Sequence, residues 1–432
     1  MKVAIFLPAK GTSERVPSKN MKLLDGKPLF LHTLEKLVFS DINADIFLDT
    51  ESDEIFDMAS HLQFKKLKRN NNLASNKTDG NALFYNEVIN CDADIIVQIL
   101  GTSPFIEIET IKSAIKAIEE EGYDSAVLMQ QEKQYTWSED KPNYNLDNIP
   151  NSKDLPWTNI ETMGLYAVRR DVAIETKKRI GKHVKKIYGK PLECLDVNYP
   201  EDFTLANVVA SGLREKERSL LRNISIHLSS PILSDLMDDL GLSDENIITG
   251  LQSNLPNKKI FGRANTLKLR AMKEGEDFNK IYDALSTYDT IVPNDVIVVE
   301  NEISDFAYFG ELNANLAIRS GAIGAIIGGK TRDNDNVKRL DFPTFSTGYV
   351  AQDVRKRAVV DTMNKPIKLY GKNINPGDLI FADNEGIAII SRKNEKLIMD
   401  EVFKRISNEN HILFDIACGK NVKEIIDSYG AF

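Results

Sequence analysis

The sequence predicts two α/β domains, one over residues 1–220 and one over residues 221–432. Three observations carry this. First, an apolar strand from Val3 to Leu7 runs into a loop with Gly11, Thr12 and Ser13. Pro28 then opens an amphipathic helix whose apolar positions are Leu29, Leu31, Leu34, Leu37 and Val38. Second, the same alternation returns further on. Residues 296–300 read as a buried strand, Glu311 to Ser320 as a helix ended by Gly321, and residues 322–328 as a second buried strand. Third, a break is readable near residue 220. An apolar helix through Phe203, Leu205, Ala206, Val208 and Val209 meets Gly212 and the charged run from Arg214 to Arg218. A new helix starts after Ser229 and Ser230, with Pro231 in its first turn and Gly241 at its end.

Length and composition agree. A chain of 432 residues is too long for one hydrophobic core, and 42% hydrophobic with 28% charged residues marks a globular protein. The net charge of -9 argues against a nucleic-acid partner, so anionic substrates have to be met by local cations. The three cysteines, Cys91, Cys194 and Cys418, form no C-x-x-C, which fits a reducing cytoplasm. The five histidines are scattered and suggest no zinc site. The apolar start is too short for a signal peptide and no stretch reaches membrane-spanning length, so no membrane association is expected. The polar segment 138–155 reads as a long loop over the active site.

The N-terminal loop has the chemistry of a phosphate cradle. Backbone N–H groups at Ala9, Lys10, Gly11, Thr12 and Ser13 lie among the cations Lys10, Arg15 and Lys19, and Asn20 closes the loop before the helix. An ordinary strand-to-helix turn with solvated charges is the plainer alternative. This segment resembles the signature of CMP-sugar-acid synthetases, the acylneuraminate and 3-deoxy-octulosonate cytidylyltransferases. The resemblance continues in order over about the first 215 residues: Asp49 to Glu54, Arg69 to Ala74, Thr102-Ser103-Pro104, Gly164-Leu165-Tyr166, then Asp196-Val197-Asn198 and Pro200 to Phe203. It implies a Rossmann-like nucleotidyltransferase three-layer sandwich that transfers CMP from CTP to an acidic sugar. It also implies that the loop, Arg15 and Lys19 hold the triphosphate, that Asp196 holds Mg²⁺, and that Arg69, Thr102 and Ser103 face the acceptor. Arg69 could equally be a solvated surface cation. Three departures stand out: Lys10 where the family has arginine, Leu100 where sialic acid synthetases have glutamine, and Asn198 where a second aspartate is usual.

The second half carries its own candidate site. Helix amides near Glu311, Leu312 and Asn313 would meet Arg332 and Asp333 at the end of the 322–328 strand, which suits a carboxylate and a hard divalent metal. Residues 224–395 resemble the regulator of RNase E activity family and the 4-hydroxy-4-methyl-2-oxoglutarate aldolases. The matching motifs include Gly262-Arg263-Ala264, Gly310-Glu311-Leu312, Arg332-Asp333 and Pro376-Gly377-Asp378. The resemblance implies an α/β domain of the swivelling β/β/α type and Mg²⁺-dependent aldol or decarboxylase chemistry on a small 2-oxo acid. Asp333 would hold the metal, Arg332 the oxo-acid carboxylate, and Glu311 a water for proton transfer. Together the halves suggest a bifunctional enzyme of surface-glycan precursor synthesis, acting as a homo-oligomer (a hexamer, or a dimer or trimer). The rivals are a cytidylyltransferase whose second half serves oligomerisation or regulation, and a binding protein with two inactive scaffolds.

Overall fold

The computed structural model describes residues 1–75, 77–417 and 420–429, so Cys418 lies outside it. The chain forms two compact units, Met1–Ala210 and Ser211–Phe432.

The first unit is built on a seven-stranded sheet. Its order is Val184–Tyr188, Ser125–Glu132, Thr158–Arg169, Ile95–Ile99, Val3–Pro8, Asp45–Thr50, Lys65–Lys68. Thr158–Arg169 runs antiparallel to both neighbours, and the other pairings are parallel. The side chains of Val3–Pro8 alternate between two cores. Val3 and Ile5 pack with Ile111, Ala114 and Ile115 of the helix Ile108–Glu119, while Ala4 and Phe6 pack with Phe84 and Val88 of the helix Gly80–Ile89. A strand buried on both faces needs a helical layer on each, which gives the three-layer sandwich. From Val3–Pro8 the chain winds outward through two further strands, then returns to the other side to form Ile95–Ile99. The loops leaving these two neighbours diverge. That switch point is where open α/β sheets hold ligands.

The second unit carries a nine-stranded mixed sheet. Its centre is the strand Ile260–Ala271. This strand pairs parallel with Asp295–Asn301, and antiparallel with Leu379–Ala382 at its start and Ala358–Met363 at its end. Ile297 and Val299 face a core shared with Ala314 and Ala317 of the helix Glu311–Ser320. Val296 and Val298 face Ile367, Leu369 and Ile374 of a small β-hairpin. Helices therefore cover one face and β-structure the other, a β/β/α layering. At Gly262 an added Cβ would come within 2.0 Å of the Asn294 carbonyl oxygen, so only glycine fits between these two strands.

The helix starts behave as their sequences suggest. Ser229 caps Ser230–Asp239 with its hydroxyl on the Ile232 N–H, and Gly321 (φ 93°) ends Glu311–Ser320. The boundary expected near residue 220 falls inside a helix. One helix, Pro200–Ser225, runs through Gly212 and the charged run into the second unit. Gly212 has open space on all sides, and one exposed glycine costs a long helix only about 1 kcal/mol. The segment 138–155 is a short hairpin, Trp137–Ser138 against Lys141–Pro142, followed by one 3₁₀ turn at Ser152–Asp154.

Candidate functional sites

The switch point of the first unit opens into a cleft of about 550 Å³. Lys10, Thr12, Ser13, Arg15, Lys19 and Asn20 line it from the loop after Val3–Pro8. Leu100, Gly101 and Thr102 come from the loop after Ile95–Ile99, Arg69, Asp196 and Asn198 add polar groups, and residues between Leu73 and Leu83 form a further wall. No residue of 138–155 lines this cleft, which corrects the expectation that this segment covers the site.

The polar groups are held in defined partnerships. Lys19 Nζ donates to the Val197 carbonyl at 2.6 Å, and burial lowers its ammonium against the opposing pull of Asp196. Asp196 accepts the Ser103 hydroxyl on Oδ1 (3.0 Å) and the Asn198 amide on Oδ2 (2.6 Å). Arg15 Nη2 donates to Asn198 Oδ1 at 3.1 Å, with its guanidinium over the Tyr199 ring. Asn20 Nδ2 donates to the Lys10 carbonyl and fixes the loop's return. The Thr102 carbonyl accepts the Val197 N–H, which ties the Asp196 segment to the switch-point loop.

Two loop residues depart from the cradle expected of them. The Gly11 N–H is spent on Glu51 Oε1 at 2.7 Å, and the Ala9 N–H on the Asp49 carbonyl at 2.9 Å. Ala9 is fully buried and neither residue lines the cleft, so both shape the loop rather than offer free donors. Arg69 is no solvated cation. It is 5% exposed, its Nε donates to Glu51 Oε2 at 3.2 Å, and its Nη1 stands 3.6 Å from Asp49 Oδ2. Glu51 thus joins the loop to Arg69, a role its sequence position did not announce.

In the second unit Glu311 opens the helix Glu311–Ser320, and Arg332 and Asp333 follow the strand Gly324–Ile327. Asp333 Oδ2 accepts the Glu311 N–H at 3.3 Å and lies 3.6 Å from Arg332 Nε. Glu311 Oε2 accepts the Asn336 amide at 2.8 Å, and Asn313 Nδ2 donates to the Tyr308 carbonyl. Leu312 is 75% exposed. One partner was not foreseen: Asp353 Oδ2 sits 3.1 Å from Arg332 Nη2. Asp353 follows Arg332 by 21 residues, beyond the helix Asn334–Arg339 and the strand Thr344–Ser346, and no spacing rule marks it.

A divalent metal fits both sites only modestly. Among the described residues no group of three His, Cys, Asp or Glu side chains is arranged to hold a metal ion. The carboxylates placed to hold it are Asp196 in the first unit and Asp333 in the second, and Mg²⁺ accepts such sparse protein ligation when substrate oxygens and water complete its shell.

Comparison with known proteins follows the same division. Residues 4–172 match the family model described as cytidylyltransferase, and residues 230–389 match the one described as aldolase/RraA. A 3-deoxy-manno-octulosonate cytidylyltransferase of Chloroherpeton thalassium is 35% identical over 131 residues, 30% of this chain and 52% of that protein. A putative 4-hydroxy-4-methyl-2-oxoglutarate aldolase of Halalkalibacterium halodurans is 26% identical over 178 residues, 41% of this chain and 79% of that protein. Protein DlpA of Legionella pneumophila is 27% identical over 206 residues, 47% of this chain but only 33% of that protein. The chain therefore spans about a third and about half of two of these relatives. It pairs a cytidylyltransferase-like N-terminal half with an aldolase/RraA-like C-terminal half.

Proposed function

We propose that the first unit transfers CMP from CTP to a 2-ulosonic sugar acid, and that the second acts on a small 2-oxo acid with Mg²⁺. One observation carries the first part: Lys19, Arg69 and Asp196 converge in a single cleft at the switch point of the sheet. Nucleotidyl transfer needs positioning and charge neutralisation more than covalent help from the protein. The Thr12 and Ser13 amides with Lys10, Arg15 and Lys19 hold the triphosphate. Arg69 meets the carboxylate of the acceptor, and Ser103 orients Asp196. Mg²⁺, when bound, neutralises charge on the phosphates, and Asp196 is the residue that would hold it. The test is pyrophosphate release from CTP against a panel of octulosonic and nonulosonic acids. Turnover with another nucleoside triphosphate but not CTP would overturn the assignment.

Asn198 occupies the place of a second carboxylate. Asn198→Asp should tighten Mg²⁺ severalfold, seen as a lower Mg²⁺ concentration for half-maximal rate and directly by calorimetry with CTP present. Unchanged Mg²⁺ dependence would mean that the metal does not reach this side chain.

For the second unit, the closeness of Glu311, Arg332 and Asp333 supports 2-oxo-acid binding. Oxalate, a planar mimic of the enolate, should bind with Mg²⁺ and lose affinity on chelation. Asp333→Ala should abolish that metal dependence, and Arg332→Ala should cost roughly 1.5–3 kcal/mol of oxalate binding. One contact favours the rival reading of a non-catalytic unit: Asp353 already occupies Arg332. Absence of oxalate binding together with absence of oxaloacetate decarboxylation would decide for that rival.

A further inference from the structure

Two buried carboxylates adjoin Arg69 without lining the cleft, and a buried glutamine meets one of them. Asp49 lies near the end of the strand Asp45–Thr50, Glu87 in the last turn of the helix Gly80–Ile89, and Gln98 in the strand Ile95–Ile99. Asp49 and Glu87 are 0% exposed and Gln98 1%. Gln98 Nε2 donates to Glu87 Oε2 at 2.8 Å. Both Asp49 carboxylate oxygens and Glu87 Oε1 are buried with no donor bonded to them. Asp49 and Glu87 are themselves within hydrogen-bonding reach of each other. Two ionised carboxylates in contact, out of water and with bare oxygens, would be strongly unfavourable; a carboxylic O–H from one to the other satisfies both.

Arg69 supplies the second observation. Its Nη2 is buried and unpartnered, while the side chain forms part of the cleft wall. We propose that Asp49 and Glu87 hold one proton between them and act as positioning residues, leaving Arg69 a single charged partner in the pair and its Nη2 free for the acceptor's carboxylate. This rests on the transfer reading above.

The electrostatics point the same way. Burial pushes the Asp49 carboxyl up to about 6 despite the lowering effect of Arg69. Burial and then the Asp49 charge raise Glu87 well above the usual carboxylate range. The other titratable groups facing the pair are Glu51, beside Asp49, and the Cys91 thiol, itself raised by burial and so uncharged. Loss of the shared proton would place a second buried negative charge behind Arg69, and an anionic acceptor would bind less well.

The experiment compares wild type with Glu87→Gln, which keeps shape and a neutral group. With 3-deoxy-manno-octulosonate as the probe, the wild-type acceptor KM should rise on the order of tenfold from pH 6 to alkaline pH, the scale of one added charge about 12 Å away at an effective dielectric constant of about 20, while the variant's stays flat. Infrared difference spectra in H₂O and D₂O should show a protonated-carboxyl C=O band at pH 7 in wild type and not in the variant, with no acceptor needed. Carboxyls raised in the folded state bind more protons there than in the unfolded chain, so wild-type stability should fall with rising pH relative to Glu87→Gln. Parallel KM profiles in the two proteins, or no such band in wild type, would overturn the proposal. If no acceptor is turned over, the transfer reading falls, and the infrared band alone decides the shared proton.

Discussion

Lys19→Ala should lower the rate of pyrophosphate release from CTP by about 10²–10³-fold, the loss typical of one preorganised electrostatic contact at a reacting centre. Lys19 is fastened at one point, the Val197 carbonyl 2.6 Å away, and that carbonyl is one residue from Asp196. Its ammonium is thus fixed beside the carboxylate that would hold the metal, where charge builds on the departing phosphates. The ammonium is lowered by burial and raised again by Asp196, so it loses its proton at a lower pH than a solvated lysine. The rate should then decline on the alkaline side earlier than a free lysine would dictate. Only one hydrogen bond is lost, so the melting temperature should shift little, by the equivalent of about 1 kcal/mol. A rate loss smaller than about tenfold, with folding intact, would remove Lys19 from the site.

Arg263→Ala should destabilise the second unit by about 3 kcal/mol. Arg263 forms a bidentate pair with Glu395 at 2.7 and 2.8 Å, reaches Glu217 through Nε at 3.2 Å, and donates to the Gly377 carbonyl at 2.9 Å. Removing it leaves two half-buried carboxylates facing each other. Burial alone would raise Glu395, but the Arg263 hydrogen bonds and charge outweigh it and hold the carboxyl below its usual value. A depressed carboxyl stabilises the fold above its unfolded pKa, and that contribution is lost as pH falls through the folded one. The gap between wild type and variant should therefore be full at pH 7 and shrink below about pH 4. Equal melting of the two proteins at pH 7 would refute the assignment.

Much of the fold was legible because local signals and global packing agree. The apolar run Val3 to Leu7, the turn chemistry before Leu29 and the Gly321 stop each specify one conformation. The loop cations Lys10, Arg15 and Lys19 were legible for the same reason. What escaped was set by tertiary proximity. Glu51 reaches back 40 residues to the Gly11 amide and forward to Arg69, and Glu87 meets Gln98 only through packing against the sheet. Carboxylates scattered through an acidic chain carry no mark of which ones will be buried. The helix Pro200–Ser225 runs on through residue 220 although a glycine followed by a charge cluster reads as a domain boundary. The apolar residues Leu221 and Ile224, buried in the second unit's core, hold that helix in place instead.

That continuous helix decides where the gene can be divided. A fragment beginning at residue 221 would keep Leu221 and Ile224 but leave Glu217 on the discarded piece, stripping Arg263 of one of its two acidic partners. A fragment beginning at Ser211 retains the whole clamp. Evolutionary exchange of the two halves faces the same constraint. A recombination point in the middle of Pro200–Ser225 cuts through an element whose last turns belong to the fold that follows, so whatever is fused upstream inherits part of its new neighbour's stability.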